Sequence, residues 1–284
     1  MERKPEWLHV EFPRAEVEKI ACMMEELNLH TVCKEANCPN MGECYRKRTA
    51  TFMILGDNCT RHCRFCNVSK RCVSAVDEQE PQHVAEAAKK LGLKHVVVTS
   101  VTRDDLPDGG AAHFAATVRA IRAALPDAAV ELLIPDLQMN TAALDTVLES
   151  RPDILGHNLE TVPRLYQTVR PEADYQRSLD VLRYTKKVCP DMVTKTSIMV
   201  GLGETEEEVS ALMDDARAAG TDIFVIGQYL RPTKQHLEVA EYVTPEQFER
   251  YAEIGRKKGF PYVFSAPLVR SSYHAAEAFA EVKK

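Results

Sequence analysis

Two cysteine triplets, Cys33-x4-Cys38-x5-Cys44 and Cys59-x3-Cys63-x2-Cys66, take up six of the nine cysteines of the chain. A 4Fe–4S cube needs four outside ligands, so three thiolates per cube leave one iron to be capped by another group. Two open triplets therefore imply two cubes, each with one position where chemistry can take place. Structural zinc also collects thiolates, but through paired Cys-x2–4-Cys knuckles or closely spaced His. Neither His30 nor His62 completes such a spacing. A disulfide framework suits small secreted chains rather than one of 284 residues. Cys22, Cys72 and Cys189 fall outside both triplets and read as buried or incidental thiols.

At 284 residues the chain is too long for a ferredoxin-sized carrier and fits one large α/β domain with extensions. The opening MERKPEWLHV has charges but no apolar core of signal-peptide length, and no later run approaches the ~20 apolar residues of a membrane span. A cytoplasmic protein with no membrane partner is expected, in a compartment where thiols stay reduced. The net charge of −6 argues against a general nucleic-acid binder. Around the cysteines the balance reverses: Arg46, Lys47, Arg48, Arg61, Arg64, Lys70 and Arg71 face only Asp57. This basic run is either a solvated face that offsets thiolate charge or a dock for an acidic partner.

The elements that must position the cysteines follow from hydrophobic rhythm. After Cys66, short apolar runs alternate with amphipathic stretches, the sign of βα units around a parallel sheet. Strands are expected at 51–55, 95–99, 130–134, 154–158, 193–200 and 222–226, with a last partial strand at 262–264. Val84, Ala87, Ala88 and Leu91, and Val209, Leu212, Met213 and Ala216, repeat as helix faces do. Thr205 with Glu208, and Thr244 with Pro245 and Gln247, are arranged to cap helix starts. Residues 1–50 read as an irregular cysteine-bearing extension, and 274–282 as a tail of helical character. The second triplet directly follows the first strand, where βα barrels place their chemistry. A dinucleotide fold would carry G-x-G-x-x-G there, and the chain has Gly56-Asp57-Asn58-Cys59 instead. The expected fold class is therefore α/β, a partial (β/α)6 TIM-type barrel. Its expected parts are an N-terminal extension (1–50), the barrel (51–265) and a C-terminal tail (266–284).

Cys59-x3-Cys63-x2-Cys66 on that loop, with aromatic Phe65 before the third cysteine, resembles the radical S-adenosylmethionine (SAM) superfamily. The first triplet, inside the run NCPNMGEC at 37–44, narrows the likeness to the lipoyl synthase family. The resemblance continues through TATFMILGD at 49–57, VTSVTRDDL at 98–106, HNLET at 157–161, GLGET at 201–205, GQYLRP at 227–232 and RSSY at 270–273. It covers about residues 31 to 275.

The resemblance implies that Cys59, Cys63 and Cys66 hold a cube whose fourth iron takes the amino and carboxylate groups of SAM. One electron then splits the sulfonium to a 5′-deoxyadenosyl radical, chemistry that belongs to the cofactor while the protein fixes geometry. It implies replacement of C–H by C–S at carbons 6 and 8 of a protein-bound octanoyl chain, with sulfur from the auxiliary cube on Cys33, Cys38 and Cys44. The last ligand of that cube is expected from Ser272, with Ser271 as the fallback; an oxygen ligand is harder than thiolate and suits a cube that must open. Implied partners are an octanoylated lipoyl domain or glycine-cleavage H-type protein, a reductant such as flavodoxin or ferredoxin, and a protein that rebuilds the cluster.

Further contacts to SAM are expected from Phe65 beside the adenine, from Thr99 and Ser100 at the end of the second strand, and from Asn158 and Glu160 at the end of the fourth. The bland alternatives are a core phenylalanine, strand-end hydroxyl caps and a loop-capping pair. Arg270 either pairs with a carboxylate, helps to set Ser272 or is solvated. The N–H groups of Gly201-Leu202-Gly203-Glu204 are placed to face polar parts of the cofactor. Asp104 and Asp105 are read as structural partners of Arg103. Tyr45, Arg48, Met139 and Ala266 depart from the family pattern, where tryptophan stands at the first and glycine at the other three, and none of these removes a ligand. Other readings are a biotin synthase-like or methylthiotransferase-like sulfur inserter, against which the head and tail motifs argue, and a non-enzymatic cluster carrier.

Overall fold

The structure, a computed structural model, describes residues 4–9, 14–35, 38, 40–46 and 51–283. Asn37, Pro39 and residues 47–50 of the motifs above lie outside the described residues. The chain divides into two compact units. One, the N-terminal unit, comprises Glu11–His62 and Asn67–Leu155; the other, the C-terminal unit, comprises Met1–Val10, Cys63–Cys66 and Gly156–Lys284. Among the described residues no helix is long and apolar enough to cross a membrane.

The N-terminal unit runs α1 (Arg14–Glu26), β1 (His30–Thr31), α2 (Val32–Glu35), α3 (Met41–Arg46), β2 (Thr51–Ile54), α4 (Glu80–Leu91), β3 (His95–Ser100), α5 (Ala111–Ala124), β4 (Ala129–Leu133), α6 (Thr141–Glu149) and the start of β5 (Ile154–Gly156). Its strands lie in chain order. β2, β3 and β4 are parallel, with Val97 between Thr51 and Glu131, and β1 pairs antiparallel with β2. The middle of β3, Val96, Val97 and Val98, is fully buried, as expected of a parallel strand covered on both faces. On α4, Val84, Ala87 and Ala88 are all 0% exposed, so the 3.6-residue rhythm seats that face in the core. The described part of the segment before β2, expected to be irregular, instead contains three α-helices, a 3-10 turn at Glu6–Leu8 and β1; it lacks βα rhythm but not helix-forming stretches.

Leu137, Gln138 and Met139 after β4 have φ of 46°, 49° and 57°. L-residues in this left-handed region cost roughly 1–2 kcal/mol each relative to right-handed backbone. Met139 is the position where the resembled family has glycine, which takes such φ values freely. Met139→Gly is expected to raise unfolding stability by about 1 kcal/mol, read from the midpoint of urea unfolding; an unchanged or lower midpoint contradicts strain at this turn.

The C-terminal unit contains α7 (Tyr166–Val169), α8 (Tyr175–Val188), β6 (Val193–Val200), α9 (Glu206–Ala218), β7 (Ile223–Gln228), α10 (Pro245–Lys257), β8 (Tyr262–Ser265) and α11 (Ala275–Val282). Here too the parallel strands follow chain order. Val209, Leu212, Met213 and Ala216 of α9 pack into one cluster with Phe224 and Ile226 of β7 and Phe248 of α10. Each such large side chain removed from water contributes about 1.5–3 kcal/mol. The expected capping box is present: Thr205 Oγ1 accepts from Glu208 N at 3.3 Å and the Glu208 carboxylate accepts from Thr205 N at 2.9 Å. Arg164 grips the same carboxylate from outside and, with that backbone N–H, holds it down to about 2. Thr244 caps α10 by accepting from Gln247 N, with Pro245 in the first turn.

β8 is the expected last partial strand. Beyond it the tail doubles back over β7: Ala266 N donates to Ile226 O and Gln228 N to Pro267 O, at 3.2 and 3.1 Å. Gly227 permits this approach, because a Cβ built there would stand 2.1 Å from Val269 O.

Candidate active site

In the N-terminal unit the first triplet is organised by backbone bonds. Cys38 N donates to Cys33 O at 3.0 Å and Cys44 N to Asn40 O at 2.9 Å. Cys33 is buried, while Cys38 and Cys44 are half-buried. Asn67, which directly follows the second triplet in sequence, donates its side-chain amide to Glu35 O at 2.9 Å. It thereby ties that loop to the helix bearing Cys33.

The chain leaves β2 through Leu55, whose φ is 69°. Buried Glu80 accepts from Leu55 N at 2.8 Å, and Arg103 donates to Leu55 O at 3.2 Å. These bonds fix the exit toward Cys59. Cys59 N donates to Ser69 O, and Thr60 N to Thr102 O. The Cys59 sulfur in turn accepts the backbone N–H of Thr102 at 3.3 Å, the type of bond that tunes thiolates holding iron. The end of β3 therefore meets Cys59. Close by in sequence, the Ser100 hydroxyl is buried with no hydrogen-bond partner among the described residues. Thr99 is buried and its hydroxyl donates to Leu133 O at 2.7 Å, the strand-capping use rather than a free group.

Arg61, between the first two cysteines of the second triplet, is 4% exposed. Its guanidinium binds Asp104 at 2.7 and 3.0 Å and Asp136 at 2.9 and 2.6 Å. Burial by itself would push it down, but hydrogen bonds and charge from Asp136 and Asp104 outweigh that and hold it above its ordinary value. This corrects the reading of Arg61 as part of an exposed basic run. Arg64, Lys70 and Arg71 are exposed, as that reading requires. Asp105 pairs with Arg103 at 2.8 Å as expected, but Asp104 serves Arg61.

In the C-terminal unit Cys66 N donates to Cys63 O at 3.2 Å, closing the turn that carries half-buried Phe65. Arg64 N donates to Val169 O, and Leu237 N to Arg64 O. The imidazole of His236 reaches Cys66 O. Asn158 donates to the Glu160 carboxylate at 3.1 Å, while its own Oδ1 is buried and has no partner among the described residues. Glu160 has φ 67°; burial pushes its carboxyl up, opposed by Arg170 and the Asn158 bond. Arg170 donates to Asn158 O at 2.9 Å and lies over the Tyr166 ring. Glu160 thus combines a left-handed backbone with a half-buried carboxylate beside an orphaned amide oxygen.

The expectation for 201–204 is corrected. The N–H groups of Gly201 and Leu202 bind the carboxylate of Glu204 at 3.0 and 2.9 Å, so Glu204 occupies the anion position at this helix start. Arg270 donates to Val269 O at 2.6 Å. Ser271 and Ser272 are half-buried in the turn before α11. Thr102, Arg170 and His236 carry site contacts that residue type and spacing alone do not flag. Thr102 lay inside a quoted motif, whereas the other two carried no local signal.

None of the nine cysteines, all among the described residues, forms a disulfide. No group of three or more His, Cys, Asp or Glu among the described residues converges to hold a single metal ion.

The profile of the radical SAM superfamily matches residues 53–216. Among curated proteins the chain is 59% identical to a lipoyl synthase of Caldanaerobacter subterraneus subsp. tengcongensis over 96% of each chain. It is 54% identical to a lipoyl synthase of Rubrobacter xylanophilus, over 99% of this chain and 88% of the other. Among solved structures, Streptococcus suis SuiB bound to S-adenosylmethionine superposes with a TM-score of 0.59 at 11% identity, covering 80% of this chain and 53% of that longer one. That likeness shows the α/β fold of radical SAM enzymes, the class expected from the sequence. On these grounds the chain belongs to the radical SAM superfamily and, within it, to the lipoyl synthase family.

Proposed function

We propose that the chain completes lipoyl groups by inserting sulfur at carbons 6 and 8 of an octanoyl chain carried on a lipoyl domain or H-type protein. Family membership implies SAM, a 4Fe–4S cube, a protein substrate and a reductant. The observation that supports the reading is the bond from Thr102 N–H to Cys59 Sγ, an arrangement that suits a thiolate holding iron. In the N-terminal unit the orphaned Ser100 hydroxyl, and separately in the C-terminal unit the orphaned Asn158 Oδ1, are each open to a bound polar group.

Cys59, Cys63 and Cys66 would hold the radical-generating 4Fe–4S cube, with SAM bound beside it. When bound, the cube and SAM would supply radical chemistry at unactivated C–H bonds. Ser100, Asn158 and Glu160 orient the polar ends of SAM, and Phe65 lies along its adenine. Thr99 and Arg270 act at one remove, by fixing the β3 end and the tail. Cys33, Cys38 and Cys44, with Ser272 or failing it Ser271, hold a second cube whose sulfide is consumed as substrate. Residues 1–50 and 266–284 thus serve that cube, and 51–265 the radical. Exposed Arg64, Lys70 and Arg71 offer charge to an acidic carrier. A flavodoxin- or ferredoxin-type donor would supply electrons to the cubes, and a cluster-carrying protein would rebuild the spent one.

Ser272→Ala tests the division of labour. SAM cleavage in reduced protein is expected to continue within a few-fold, while lipoyl product falls about 10- to 100-fold, the usual range for a lost supporting ligand. Unchanged product from Ser272→Ala and from the Ser271→Ala, Ser272→Ala double variant contradicts the role of the tail.

A further inference from the structure

In the C-terminal unit the loop that follows β7 returns over the turn of the last two triplet cysteines. Two rungs join them: Leu237 N to Arg64 O at 3.3 Å, and His236 Nε2 to Cys66 O at 3.1 Å. A carbonyl only accepts, so Nε2 carries the proton of the imidazole and Nδ1 is the acceptor. Nδ1 lies 2.8 Å from Thr233 Oγ1, and that oxygen accepts from Gln235 N at 3.2 Å. The donors alternate without conflict: Gln235 N–H to Thr233, the Thr233 hydroxyl to His236, His236 N–H to Cys66 O. With a proton on Nε2 every member is satisfied, which fixes the ring in direction as well as place. The loop is itself braced. Tyr229 donates its hydroxyl to Leu237 O at 2.8 Å, and Arg231 donates to Thr233 O at 3.2 Å and pairs with Glu238 at 3.0 Å.

We propose that His236 is a positioning residue for Cys66, pinning its peptide carbonyl so that its thiolate keeps one direction at the radical-generating cube. The inference rests on the reading of Cys59, Cys63 and Cys66 as ligands of that cube. His236 touches no reacting atom in this role, and Leu237 supplies the second rung through backbone alone. Removal of the imidazole therefore loosens the turn without releasing it.

The test uses the full chain, reconstituted anaerobically, with iron content, the EPR spectrum of the reduced protein with and without SAM, and the rate of 5′-deoxyadenosine formation as readouts. His236→Ala is expected to weaken the change that SAM makes in the spectrum and to slow 5′-deoxyadenosine formation about 10- to 100-fold. His236→Gln, whose amide can donate to the same carbonyl, is expected to restore both to within a few-fold. Thr233→Val, which removes the acceptor's partner but leaves the ring, falls between the two. A His236→Ala protein that loads little iron while His236→Gln loads and reacts normally gives the same support. The inference is overturned if His236→Ala matches the parent in spectrum and rate, or if His236→Gln fails as badly as His236→Ala at equal iron content. Parent protein with no SAM-dependent change overturns the cluster reading itself, so the two failures are told apart.

Discussion

Arg61→Met is expected to lower the stability of the protein by about 3–5 kcal/mol, the cost of leaving a buried charge without its partner. Asp136 is 0% exposed and Arg61 4%, and four N–O contacts of 2.6 to 3.0 Å join Arg61 to Asp136 and Asp104. Removing the guanidinium strands the Asp136 carboxylate in the interior, whereas Asp104 is partly exposed and can rehydrate. Arg61→Lys keeps the charge but cannot fork to two carboxylates, so it should lose less than Arg61→Met and still fall short of the parent. Arg61→Met with Asp136→Asn should recover part of the loss, because the stranded charge is gone. Urea unfolding of these four proteins and of the Asp136→Asn single variant measures the cycle. Equal midpoints for Arg61→Met and the parent contradict the network. Because Arg61 lies between Cys59 and Cys63, iron retention by the second triplet should fall with stability across the series.

Gly227→Ala should produce the second large effect. The new methyl meets Val269 O at 2.1 Å and Arg270 Nη1 at 3.1 Å. A backbone oxygen cannot rotate away, so either β7 or the tail must shift, at a cost of about 1–3 kcal/mol. The tail is the easier part to move, since β7 is paired on both sides, with β6 and β8, whereas the tail is held to it by bonds such as Gln228 N to Pro267 O. Ser272 travels with that tail. Lipoyl formation is therefore expected to fall much further than SAM cleavage, as for Ser272→Ala but with lower stability. If SAM cleavage and lipoyl formation fall in parallel, the tail is not dedicated to the second cube.

Much of the scaffold was legible because it is local. Runs such as Val96–Val97–Val98 announced β3, and Thr205 with Glu208 announced the start of α9. β1 has two residues and leaves no rhythm to detect. The site was legible where motif chemistry is carried by residue type and spacing, as with the cysteines. It was not legible where the outcome depends on what folds against a residue. Arg61 reads as a solvated cation in the chain and is buried between two carboxylates in the fold. Gly201 and Leu202 offer N–H groups that look free until Glu204 turns back to take them. His236 meets Cys66 across a separation of 170 residues, and no local window contains that pairing.

The most direct measurement is single-turnover chemistry on fully reconstituted protein, anaerobic and reduced, with an octanoylated peptide as substrate, and with iron followed by Mössbauer spectroscopy. Two cubes, about eight irons per chain, are expected at the start. Each lipoyl group formed should consume two SAM and destroy the cube on Cys33, Cys38 and Cys44 while the other survives. A chain that holds a single cube, or that forms lipoyl product with both cubes intact, contradicts the account.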